Sequence, residues 1–224
     1  SHAVRASVTF DEGPHLAVGY TVLKTWDFGL QPIHIHPPLA NMLAAAPLLL
    51  QHDLPDPRAI DGWESQSLSA VTDAVIWQYA HPRRIATAGR FPIIGLGIIL
   101  ATLVYRWATD RGGPVAGLVA LAFYTFDPNV IAHSSLITTD MAAVAFVVLT
   151  LYLVDRWIVR AEAFTYLAAA GIGLSLGLAQ LTKVSALMLV PVVVGIILLN
   201  AWFRSEAQSL WQRIWSAVPL LMTV

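Results

Sequence analysis

Residues 184–203 read VSALMLVPVVVGIILLNAWF, a run without one ionisable side chain. A helical rise of about 1.5 Å per residue makes it about 30 Å long, the thickness of a bilayer's hydrocarbon core. Comparable apolar segments precede it at about 92–108, 115–132, 141–159 and 164–182, and a sixth begins near Ile214 and runs to Val224. The spacing predicts an all-α fold, a polytopic helical membrane protein. Residues 92–224 read as a transmembrane helix bundle of about five spans plus the start of a sixth. Residues 1–91 read as a first outer loop carrying short surface helices. Composition agrees: of 224 residues 57% are hydrophobic and 12% charged, against about 25% charged in a soluble domain. Thirteen basic and fourteen acidic residues give a net charge of -1, which leaves no basic footprint for nucleic acid. Apolar content this high excludes intrinsic disorder. Cysteine is absent, which removes disulfides, thiolate metal sites and a cysteine nucleophile.

Orientation follows from the short loops. Arg106 with Arg111, Arg156 with Arg160, and Arg204 with Arg213 mark alternate loops, which the positive-inside rule assigns to the cytoplasm. That places residues 1–91 outside a plasma membrane crossed several times, with the active face periplasmic or extracellular. Lys183, alone in a short outer turn, departs from the rule. Trp107, Trp157, Trp202, Trp211 and Trp215 near span ends suit interfacial anchors. The chain starts Ser-His-Ala-Val and stops inside an apolar run, so it reads as the N-terminal part of a longer membrane protein.

Within the polar region, Gly13-Pro14 predicts a helix from His15 to about Trp26, with Leu16, Tyr20 and Leu23 on one face. Pro37-Pro38 opens a short apolar helix, Leu39 to Leu50, too short to span. A loop from Asp53 leads to a helix from Ser67 to Tyr79. Four polar features fall on one face of this topology: Asp11-Glu12, His34 with His36, Asp140 and Lys183. Ionisable groups beside spans are expensive and usually face a cavity or a partner. Two carboxylates near a cation and imidazoles suit a phosphorylated ligand and deprotonation of an acceptor. Each feature also has a plainer reading. Asp11-Glu12 and Asp140 suit helix N-caps, Lys183 an interfacial snorkel, Arg90 a boundary anchor, and Asp127-Pro128-Asn129 a turn that stops a helix.

The motifs have a characteristic order. Phe10-Asp11-Glu12-Gly13-Pro14-His15, Gly19-Tyr20 and His36-Pro37-Pro38-Leu39-Ala40 come first. Gly89-Arg90-Phe91-Pro92, Phe126-Asp127-Pro128-Asn129, Thr138-Thr139-Asp140 and Gly177-Leu178-Ala179-Gln180-Leu181-Thr182-Lys183 follow. The ordered set resembles the C-type membrane glycosyltransferases, in particular the protein O-mannosyltransferase-like, phospholipid-carrier-dependent group. The resemblance implies that Asp11 is the general base, with Glu12 beside it and Asp140 as a second acid. It implies a donor-phosphate contact from Lys183, with the His-Pro-Pro turn and its His36 shaping the donor side. Arg90, where it is not a boundary anchor, reads as a further donor-phosphate contact. Many relatives carry an acidic residue and a Lys where this chain has Ile35 and Asn41. They also have a membrane span before the Asp-Glu.

The implied reaction is transfer of a sugar from a polyprenyl-phosphate donor to an acceptor hydroxyl, inverting the anomeric carbon, with Asp11 accepting the proton. A carboxylate is a weak base, so full proton transfer comes late. The expected partners are a lipid-linked sugar donor, a protein or lipid/glycan acceptor, membrane lipids and other membrane-complex subunits, without nucleic acid. A divalent metal has room beside the carboxylates, but the sequence does not require one. The rival reading is a non-catalytic membrane subunit of this fold packed in a larger assembly.

Overall fold

The computed structural model describes residues 7–33, 36–78, 81–160, 165–204 and 218. Apart from residue 218, the sixth apolar segment from Ile214 lies outside the described residues, as do Trp211, Arg213, Trp215, His34 and Ile35. Helix α1, Glu12–Thr25, ends at Trp26 in the left-handed conformation. Helix α2, Leu39–Ala45, tightens into the 3-10 turn Ala46–Leu50. Helix α3, Leu68–Asp73, starts where the Ser67 hydroxyl accepts from the Ala70 amide at 3.4 Å, and continues as one π-helical turn, Ala74–Gln78. Leu16 and Tyr20 are buried as the apolar periodicity predicts, but so are Gly13, Ala17, Val18, Gly19 and Val22. Burial therefore surrounds α1, because small residues open its second side to neighbours. A Cβ on Gly19 would overlap the Asn41 carbonyl, so this glycine lets α1 and α2 touch backbone to backbone.

The run Pro82–Phe126 is longer than a span requires, and at Gly113 the backbone swings to φ 80°, ψ 178°, where a side chain would be strained. There the chain reverses into antiparallel helices α4 (82–112) and α5 (114–126). The Tyr124 hydroxyl donates to the Gly97 carbonyl at 2.8 Å, and Gly117 lies against Tyr105 and Thr109. The predicted span 115–132 stops at Phe126 because the Asp127 carboxylate accepts from the amides of Asn129 (2.8 Å) and Val130 (3.0 Å). It thereby caps a new short helix, α6, Pro128–His133. Helix α7, Thr139–Val154, runs on as a π-helical turn, Asp155–Val159. Helix α8 is Tyr166–Gln180, and α9, Leu189–Arg204, follows the 3-10 turn Val184–Met188.

Three helical stretches are long and apolar enough to cross a membrane: Pro82–Phe126, Thr139–Val159 and Val184–Phe203. Tyr166–Gln180 is apolar but, at 15 residues, shorter. The fold is thus an all-α polytopic membrane protein. One core joins α1–α3 to α4 and α7 through Leu16, Leu48, Ile85, Ile93, Ile137 and Met141. A second joins α7, α8 and α9 through Val154, Ile172, Leu176, Val193 and Ile197. Ile98, Ile99, Leu118, Phe123 and Leu199 remain exposed on the bundle, as a lipid-facing surface requires.

Candidate functional site

Asp11 and Glu12 adjoin in sequence but face different environments. Glu12 and Arg90 are 0% and 1% exposed. Arg90 grips the carboxylate with two bonds, Nε to Oε1 at 2.7 Å and Nη2 to Oε2 at 2.6 Å, the planar fork that guanidinium geometry favours. The Thr9 amide donates to Oε2 at 2.9 Å and the Ile137 amide to Oε1 at 3.2 Å, while Arg90 Nη2 also donates to the Ser7 carbonyl at 2.9 Å. Burial alone would raise the Glu12 pKa. The Arg90 hydrogen bonds, the two amides and the Arg90 charge hold it below the ordinary carboxyl value. This pair ties the start of α1 to α4 and to the turn before α7. Both residues lie in the interior, engaged with each other.

Asp11 is exposed and its side chain makes no cap hydrogen bond. One helical turn on, His15 Nδ1 lies 2.8 Å from Asn41 Oδ1. Asn41 Nδ2 donates to Gln31 Oε1 at 3.1 Å, and Gln31 Nε2 donates to the His36 carbonyl. The His15 and His36 rings meet edge to face with centroids 5.3 Å apart. His36 Nδ1 is buried and lacks a hydrogen-bond partner among the described residues. Burial lowers the His15 pKa, and His36 lowers it further, against the opposing pull of Asn41, Asp11 and Asp140.

Asp140, at the start of α7, accepts from Lys183 Nζ at 2.6 Å, and His133 Nδ1 stands 3.7 Å from its other oxygen. Asp140 and Lys183 are each about two-fifths exposed, at 38% and 37%. The Leu39 amide donates to the Leu181 carbonyl at 2.9 Å, which seats the His-Pro-Pro turn beside the Lys183 turn. Asp11 lies one turn before His15 on α1, and the His15 ring meets His36. The Ile137–Glu12 and Leu39–Leu181 bonds draw the start of α7 and the Lys183 turn to the same end of α1 and α2, so Asp11, His36, Asp140 and Lys183 share one polar neighbourhood. On the α3 side of α1, an open groove of about 560 Å³ runs past Phe10, Gly13, Thr72, Asp73 and Trp77. Among the described residues no group of three or more His, Asp or Glu side chains is placed to hold a metal ion.

Sequence reasoning assigned no role to His15, Gln31 or Asn41. His15 was findable, since a residue four beyond Asp11 on a helix lies on the same face. It likewise missed a second ionic cluster, at the far end of α7. There Asp155 accepts from Trp107 Nε1 at 2.8 Å and from Arg111, while Asp110 pairs with Arg106 at 3.0 Å and Arg160 at 3.4 Å.

Residues 75–223 match the family model described as dolichyl-phosphate-mannose-protein mannosyltransferase. The matched stretch contains Arg90, Asp140 and Lys183, and Asp11, Glu12 and His36 precede it. No curated protein and no solved structure matches the chain. The match covers well over half of the chain and agrees with the motif order and the apolar helices. This membrane protein belongs to the dolichyl-phosphate-mannose-protein mannosyltransferase family, a family of glycosyltransferases.

Proposed function

We propose that the protein moves a sugar, mannose by family, from a polyprenyl-phosphate carrier to a hydroxyl of a protein acceptor at the outer membrane face. The acceptor oxygen attacks the anomeric carbon as the bond from that carbon to the phosphate oxygen breaks, and this single displacement inverts the centre. Asp11 takes the hydroxyl proton, and the carrier leaves as lipid phosphate. An ammonium has three N–H donors, so Lys183 can hold Asp140 with one and meet the departing phosphate with the others. The His36 turn lies beside that phosphate. The observation that carries this reading is the exposed Asp11 carboxylate, uncommitted to capping, at the end of α1 that the Ile137–Glu12 and Leu39–Leu181 bonds join to the Asp140–Lys183 pair.

Glu12 and Arg90 act here as a strut that holds α1 against α4 and so positions Asp11. The groove on the α3 side, lined by Phe10 and Gly13, which flank Asp11 in the chain, is the acceptor's approach. The test is direct: purified protein given a panel of polyprenyl-phosphate sugars and a serine- and threonine-containing peptide should release lipid phosphate in step with glycosylated peptide. Absence of release from every donor, from protein that stays folded, overturns the proposal.

A further inference from the structure

The chain of amides behind His15 has a direction, and that direction decides which His15 nitrogen carries the proton. A backbone carbonyl only accepts, so at the His36 carbonyl Gln31 must present its NH₂ group, leaving Oε1 toward Asn41. Asn41 then turns Nδ2 to Gln31 and Oδ1 to His15. Amide oxygens do not donate, so His15 Nδ1 must be the N–H, and in the neutral ring Nε2 keeps its lone pair. Gln31 and Asn41 are 5% and 3% exposed. Buried amides are stabilised only when their bonds are made, so the direction is held against reversal. His15 Nε2 has no protein partner among the described residues. The groups around the ring are His36 at its edge, from the loop before α2, Asp11 on its own helix, and Asp140, from α7 and paired with Lys183.

We propose that His15 is a substrate-positioning residue whose Nε2 lone pair accepts a hydrogen bond from a ligand hydroxyl held between Asp11 and Asp140. That hydroxyl belongs either to the donor sugar or to the acceptor. The inference rests on the glycosyl-transfer reading above. Burial that keeps the ring neutral supports it, since an imidazolium offers no lone pair.

Steady-state transfer with dolichyl-phosphate-mannose and a serine-containing peptide separates the two sources. His15→Phe keeps the ring's bulk and should lower kcat/KM about tenfold, the loss of one hydrogen bond. A raised KM for the peptide assigns the hydroxyl to the acceptor, and a raised KM for the lipid assigns it to the sugar. His15→Gln, which offers both a donor and an acceptor, should restore most of the loss. Asn41→Asp puts a carboxylate against Nδ1, favours the imidazolium, and should move the acid limb of the pH–rate profile upward. Wild-type kinetics in His15→Phe overturns the inference, as does an unmoved acid limb in a folded Asn41→Asp variant. Nitrogen-15 NMR of histidine-labelled protein tests the tautomer without any activity. A protonated Nδ1 and bare Nε2 are expected at neutral pH, and the reverse assignment overturns the inference whatever the protein transfers. If wild type transfers no sugar, the function reading fails separately, and the Nε2 signal upon adding the lipid still reports whether a hydroxyl binds there.

Discussion

At the scale of single residues, one peptide bond separates a carboxylate that faces water from one with no contact with it. Removing either half of a buried ion pair leaves an uncompensated charge, which costs about 3–5 kcal/mol. Arg90→Ala and Glu12→Gln should therefore both lower thermal stability by that order in detergent, measured by melting. Because Glu12 titrates below its ordinary value of 4.5 in the folded chain, its stabilisation is complete above that value and is lost as pH falls through the folded pKa. Wild type should lose stability on acidification below about pH 4.5, and Glu12→Gln should flatten that slope. The sequence could place Asp11 and Glu12 together at a helix start but could not separate their roles. The partner that decides Glu12's burial, Arg90, lies 78 positions away, and burial is a property of the assembled core.

At the scale of elements, the polar neighbourhood depends on how closely α1 and α2 approach. Gly19→Leu should force the helices apart at the Asn41 carbonyl, break the His15–Asn41 bond and depress transfer. Gly95→Ala on α4 meets open space and should leave both fold and transfer near wild type. Comparing the two variants by melting and by rate checks this. Helix positions were largely legible, because prolines at 14 and 38 and long apolar runs act locally, although the helix read from residue 92 starts already at Pro82. The reversal at Gly113 was legible only as a gap between two apolar segments. Its left-handed backbone is what turns one uninterrupted helical run into a hairpin. The burial around α1 was hidden for a related reason. Periodicity marks Leu16 and Tyr20, whereas Gly13 and Gly19 carry no hydropathy signal for the second side.

At the scale of the whole molecule, charge gathers at the two ends of α7. Asp140 with Lys183 stands at one end and Asp155 with Arg111 at the other, about 22 Å apart along the helix axis. The arginines at 106, 111, 156 and 160 were readable as one group from the sequence alone, but the loops expected around them are helical backbone, the end of α4 and the π-helical turn after α7. The aspartates that bind them were not readable, since nothing local marks Asp110 or Asp155 as their partners. The chain has no native cysteine, so single-cysteine labelling is clean. Asp27→Cys should react with a membrane-impermeant thiol reagent from the outer side of intact cells, and Arg106→Cys only after the membrane is opened. The reverse pattern would invert the proposed orientation. In the proposed mechanism Asp11 removes the acceptor proton beside the Asp140–Lys183 pair. The most direct test of that step is Asp11→Asn, assayed for transfer from dolichyl-phosphate-mannose to a serine-containing peptide. The variant should melt and insert like wild type with transfer lost, and wild-type turnover by it would mean that another group takes the proton.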